Sequence, residues 1–226
     1  MTIPWLGLLA PLGCMALDWI AVGRGWYRLK YVTKPLALLA LIGWFSWAGG
    51  WNTPQLLWFG IALVASLAGD VFLMVPRNLF MGGLVAFWVA HLAFIVGFNP
   101  TLPPFTWVSG VLALGVVYNA SEQFRDLRPA VRNHSRSKCL NWGVVVYGVT
   151  ITLMLLSTLY TLLRPEWNLF PAALAALGGL LFYLSDSMLA IDRFVNPIRN
   201  GRLWVRVTYH LGQMGLIVGA VLAYVH

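Results

Sequence analysis

The chain alternates long apolar runs with short polar breaks. Eight runs come near or reach the roughly 20 residues that cross a hydrocarbon core: 3–22, 34–50, 54–75, 79–98, 104–121, 140–162, 169–191 and 203–225. Little chain is left between them. The pattern predicts an all-α polytopic membrane protein, a bundle of eight transmembrane helices forming a single domain over 1–226. Proline marks the breaks or first helical turns at Pro54, Pro76, Pro103, Pro104, Pro165, Pro171 and Pro197, where a missing amide is harmless, and Lys34-Pro35 opens the second run. Gly178-Gly179 and the Gly215-xxx-Gly219 pair lie inside runs, where small residues let helix backbones approach.

Basic residues sort by connection. One alternate set carries Arg24, Arg28, Lys30, Lys34, Arg77, Arg125, Arg128, Arg132, Arg136, Lys138, Arg193, Arg199, Arg202 and Arg206, fourteen of the fifteen basic residues. The other set carries only Arg164, offset by Glu166. Positive residues stay cytoplasmic, so both termini are expected on the non-cytoplasmic side. The longest connection, Glu122 to Lys138, spaces its arginines as one face of a surface helix. A net charge of +8 raises nucleic acid as a partner, but juxtamembrane placement against anionic headgroups accounts for it, so membrane lipids and no nucleic acid are expected.

Composition agrees: 60% of residues are hydrophobic and 10% charged, which excludes an ordinary soluble domain. Cys14 and Cys139 fall in different environments and predict no disulfide. Leu12-Gly13-Cys14 resembles a lipoprotein cleavage site, but no basic residue precedes it and Asp18 interrupts the run, so the first run reads as a retained span.

Asp18, Asp70 and Asp186 stand inside these runs, each about five residues before the end. An ionisable group there is costly and marks a functional site by default. All three runs head inward, which puts the carboxyls in one layer roughly 7 Å inside the cytoplasmic interface at 1.5 Å per residue. His210, with Tyr209 and Gln213, enters that layer from the last run, and His91 lies deeper, placed to pack or to bond a polar group. Ser66, Tyr183 and Ser185 are spaced to orient the carboxyls. Paired carboxyls in low dielectric divide into an acid and a base, which suits acid-catalysed addition of water. Lys34, Arg77 and Arg193 at the rim can hold a phosphate. The implied substrate is an amphiphile, and no metal or organic cofactor is demanded.

The stretch Ser66-Leu67-Ala68-Gly69-Asp70-Val71-Phe72-Leu73-Met74, followed by Phe87 to His91, resembles a signature of the YhhN family of membrane proteins, whose animal members are lysoplasmalogenases. Leu184-Ser185-Asp186-Ser187-Met188-Leu189-Ala190-Ile191-Asp192-Arg193-Phe194 and Thr208-Tyr209-His210-Leu211-Gly212-Gln213 are similar to two further segments, and Lys34-Pro35 fits a fourth, with His210 a departure from the pattern. The resemblance implies an eight-helix hydrolase that cleaves the vinyl ether of lysoplasmalogens to a fatty aldehyde and glycerophospho-ethanolamine or -choline. It implies Asp70 and Asp186 as the catalytic pair. Depth, spacing and rim charge add Asp18, Lys34, Arg77, His91, Tyr183, Arg193, Tyr209, His210 and Gln213 as substrate-binding or supporting residues, and Asp192 as either a helix-end ion pair or a headgroup contact. If the chain is bacterial, the inner membrane is the expected location and another alkenyl or lysophospholipid is a possible physiological substrate. Two rivals remain open: a proton-coupled transporter, and a metal-dependent lipid amidase of the alkaline ceramidase kind, for which only His91 and His210 lie inside runs.

Overall fold

A computed structural model describes residues 3–26, 28–75, 79–134 and 137–225. Among them the chain forms eight α-helices and no strand: α1 Leu9–Gly23, α2 Lys30–Trp47, α3 Leu57–Met74, α4 Phe80–Phe98, α5 Trp107–His134, α6 Lys138–Tyr160, α7 Leu169–Phe194 and α8 Gly201–Tyr224. Short 3₁₀ turns precede α1 and α3 and follow α2 and α6. Six helical stretches are long and apolar enough to cross a membrane; α2 and α5 are not among them. Lys30 and Lys34 dilute α2, and charges beyond Ser121 dilute α5.

Two boundaries differ from the sequence reading. α2 begins at Lys30, so Pro35 lies in its second turn and Lys34 is helical. The Glu122–Lys138 connection is helical, as its arginine spacing suggests, but as a continuation of α5 as far as His134 and not as a separate surface helix. Glu122 and Arg125, three apart on that extension, pair at 2.5 Å on its exposed surface, a local bond that favours helix over loop. Arg136 lies outside the described residues.

The core is aromatic at its centre: Phe45, Phe59, Phe94, Phe98 and Phe182 are fully buried beside Met15, Leu38, Leu41, Leu63 and Leu216. The perimeter is just as apolar, with Leu6, Leu9, Val64, Leu114, Trp107 and Leu169 exposed. Lipid tails suit that surface as well as protein does, so helix association rests on close packing instead of on burial from water. α7 and α8 form the most extensive pair, and their contact is made by glycine. A Cβ added at Gly178 would stand 2.5 Å from Leu216 N and 2.9 Å from Gly212 O, and one at Gly219 2.8 Å from Pro171 O. Both glycine pairs picked out in the sequence serve packing. Gly179 differs only in its neighbour, the Thr158 side chain of α6.

At the opposite end from Asp70 and Asp186, Arg164 is the clasp. Its guanidinium donates to Thr101 Oγ1 at 2.6 Å, Asn99 Oδ1 at 2.9 Å and Glu166 Oε1 at 3.3 Å, joining the α4–α5 and α6–α7 connections. Glu166's own backbone amide, the Thr101 hydroxyl and Arg164 hold its carboxyl below the usual carboxylate range. Cys14 and Cys139 are both free thiols.

Candidate active site

Asp186 on α7 lies on the wall of an apolar cavity of about 320 Å³ formed by α3 to α7 and the turn after α7. Leu73, Leu84, Phe87, Ile151 and Leu189 line most of it, with Tyr183 and Asp126 among its few polar groups. Asp186 Oδ2 accepts a short hydrogen bond from the Tyr147 hydroxyl of α6. His91 Nε2 lies 3.2 Å from the same oxygen and 2.9 Å from the Tyr147 oxygen, and its Nδ1 lies 3.2 Å from Met154 Sδ. A carboxyl, a phenol and an imidazole from three helices thus converge at the edge of an apolar chamber. Of its two expected placements, packing or bonding a polar group, His91 takes the second, against the Asp186 carboxyl.

Asp70 on α3 is fully buried and has other partners. Lys34 Nζ is 2.7 Å from Oδ1, the Tyr209 hydroxyl donates to Oδ2 at 2.9 Å, and Gln213 Nε2 reaches that hydroxyl at 3.5 Å. Asp18 on α1, also fully buried, accepts from Arg206 Nη1 at 2.6 and 2.8 Å and from Thr33 Oγ1 at 2.6 Å. Paired and hydrogen-bonded charges of this kind are the form in which ionised groups tolerate burial.

The three carboxyls therefore do not share one pocket. Asp70 and Asp186 have separate partners, and rings join their centres: His91 packs on Phe182 at 5.0 Å between centroids, and Phe182 on Tyr209 at 5.3 Å. The expected orienting residues point elsewhere. Tyr183 donates to Asn119 at 3.5 Å, Ser185 to the Val205 carbonyl at 2.9 Å, and Ser66 Oγ has no partner among the described residues. His210 accepts from the Trp19 indole at 3.1 Å and touches no aspartate. Arg193 stacks its guanidinium 3.9 Å over the Phe80 ring at the apolar cavity. Asp192 Oδ1 accepts from the Ile198 amide at 2.8 Å and so fastens the turn into α8. Arg77 lies outside the described residues.

A second cavity, about 870 Å³ and polar, lies between α1, α2, α3, α7 and α8 and shares Leu73 and Leu189 with the apolar one. Lys30, Lys34, Arg202 and Arg206 line it against one acid, Asp192. Tyr147 and Arg206 are the functional-looking residues that sequence reading missed. Helical depth holds the signal for Arg206. Arg206 stands five residues into α8 and Asp18 five residues from the end of α1, which puts each about 8 Å from its helix end.

The family model described as the YhhN family matches residues 29–220. The chain belongs to the YhhN family. It is 31% identical to the human lysoplasmalogenase TMEM86B over 87% of its length and 76% of that protein's, and 31% identical to the mouse lysoplasmalogenase TMEM86B over 91% and 80%. An uncharacterized membrane protein YhhN of Escherichia coli is 26% identical over 74% of this chain and 77% of its own. No solved structure matches. As a YhhN-family chain with several helices able to span a bilayer, it is a multi-pass membrane protein. The match contains Lys34, Asp70, His91, Tyr147, Asp186, Arg206 and Tyr209, and leaves out Asp18.

Proposed function

We propose that this protein is a membrane hydrolase that cleaves the vinyl ether of lysoplasmalogens, with all eight helices crossing the bilayer and both termini outside the cytoplasm. The observation that carries this reading is the position of Asp186, a hydrogen-bonded carboxyl on the wall of an apolar chamber that adjoins a cationic cavity. An amphiphile with an anionic head and an alkenyl chain fits that pair of spaces, and two lysoplasmalogenases are related at 31% identity.

In the proposed reaction Asp186 is the acid. Its proton passes to the β-carbon of the enol ether, leaving an oxocarbenium centre at the α-carbon. The Asp186 carboxylate so formed, held by Tyr147 and His91, stabilises that cation and takes a proton from the water that adds to it. The hemiacetal collapses to a fatty aldehyde and the glycerol hydroxyl of the glycerophospho product. Asp70 completes the pair as the buried carboxylate that fixes Lys34 at the floor of the cationic cavity and Tyr209 in the core. Glycosidases meet a related cation with two carboxyls, an analogy of chemistry and not of fold.

The test is purified protein with lysoplasmenyl-ethanolamine, following aldehyde release, beside alkyl ether and ester lysolipids. Vinyl ether alone should yield aldehyde, and Asp186→Asn should lower turnover at least a hundredfold in folded protein. Turnover within a few fold of the parent in Asp186→Asn would remove the acid assignment.

A further inference from the structure

The polar cavity is unusual in how its cations are committed. Lys34 and Arg206 both line it, yet each also reaches below its floor to a fully buried carboxylate, Lys34 to Asp70 at 2.7 Å and Arg206 to Asp18 at 2.6 Å. Their side chains are 12% and 14% exposed, while both aspartates have no exposure. Anything bound in the cavity therefore meets the outer side of two cations whose inner side is already held. Lys30 and Arg202 add positive charge on the same wall, and Tyr31 and Trp26 supply flat surface. Asp192 is the single acid there, and one of its oxygens is spent on the Ile198 amide. Counting the two buried carboxylates the local balance is four cations to three acids, but the wall itself presents all four cations and only Asp192, which makes this cavity an anion site. At about 870 Å³ it is far larger than an inorganic ion requires.

Leu73 and Leu189 border this cavity and the apolar chamber alike. A single amphiphile can lie across that border, its phosphate among the cations and its chain beside Asp186. We infer that the polar cavity is the phosphate subsite for the substrate's headgroup, and that the bound phosphate and Asp70 compete for Lys34. This assignment rests on the lysolipid reading above, and it adds the residues that take the headgroup and a coupling between headgroup and buried carboxylate. The coupling has a definite sign. Lys34 is a point charge with three rotatable donors, so an incoming phosphate can draw it outward and loosen its hold on Asp70. Removing the Asp70 charge leaves Lys34 entirely available to the phosphate.

The experiment measures binding and not turnover, using an uncleavable 1-O-alkyl lysophosphoethanolamine and the matching 1-O-alkylglycerol, which lacks phosphate, with protein in nanodiscs. Arg202→Ala should weaken the lysophospholipid about tenfold, the worth of one charge-assisted hydrogen bond, and leave the alkylglycerol unchanged. Asp70→Asn should tighten the lysophospholipid several-fold and again leave the alkylglycerol unchanged. Equal effects on both ligands, or an Asp70→Asn variant that binds the lysophospholipid no better than the parent, overturns the proposal. Full displacement of the lysophospholipid by millimolar inorganic phosphate also overturns it, since the site would then take free anion and not the lipid head. Arg202→Lys should recover most of the lost affinity, which separates charge from fold. Loss of vinyl ether hydrolysis in the parent would sink the catalytic reading while leaving these binding differences intact.

Discussion

Replacing Lys34 with Met tests whether the Asp70 pair supports the fold in the way its geometry implies. The substitution keeps the length of the stem and removes the ammonium 2.7 Å from Asp70 Oδ1. Asp70 has no exposure, and after the change only the Tyr209 hydroxyl at 2.9 Å remains among its described side-chain partners. Stranding one member of a buried ion pair costs about 3–5 kcal/mol, and at about 2–4 °C per kcal/mol for a chain of this size the loss in melting temperature is roughly 6–20 °C. The reverse change, Asp70→Asn, strands Lys34 instead, which faces the polar cavity and can be hydrated there, so it should cost clearly less. The double variant leaves no stranded charge and should recover most of the stability lost by Lys34→Met. Thermal unfolding of the three variants and the parent in one detergent at pH 7.5 provides the cycle. If Lys34→Met melts with the parent, or if adding Asp70→Asn gives no rescue, the pair is not a buried ion pair of the kind described.

Other outcomes follow from the same contacts. Tyr147→Phe removes one donor to Asp186 and keeps the ring, so kcat should fall about 10–100-fold, the worth of a hydrogen bond to a charged group, with the melting temperature nearly unchanged; the aldehyde assay reads this directly. Gly178→Ala sets a methyl against α8 backbone at 2.5 Å, where only a shift of the whole helix relieves it. A cost of about 1–3 kcal/mol is expected by thermal unfolding, against no loss for Gly13→Ala, which meets nothing within 4 Å. For Glu166, a carboxyl held below its ordinary range contributes stability that is full above that range and lost as pH falls through the depressed value. Glu166→Gln should therefore melt slightly below the parent at pH 7, and the gap should close in acid.

Hydrophobic runs and charge sorting made the helices legible, because bilayer crossing imposes a length and a composition that show in every window. Charge at helix ends was less legible. Arg206 counted as a loop cation in the sorting, and Lys34 as a rim residue, because the runs were drawn by apolar content and a helix rich in cations begins before its apolar part. Once α2 and α8 start at Lys30 and Gly201, both residues lie one to one and a half turns inside, level with Asp70 and Asp18 on antiparallel neighbours. Tyr147 hid for the opposite reason. A phenol in an apolar run carries no charge to flag it, and its role comes only from facing Asp186, a relation between α6 and α7 that neither run displays alone. Rotation has the same effect on Tyr183 and Ser185. Their spacing to Asp186 is helical, yet one turns to Asn119 and the other to a carbonyl of α8, so sequence neighbours gave the wrong partners, while Lys34 and Arg206, matched in depth on antiparallel helices, are the partners Asp70 and Asp18 take. In such a bundle each buried carboxyl is better paired by distance from the helix end than by spacing along its own helix, because antiparallel packing brings equal depths together.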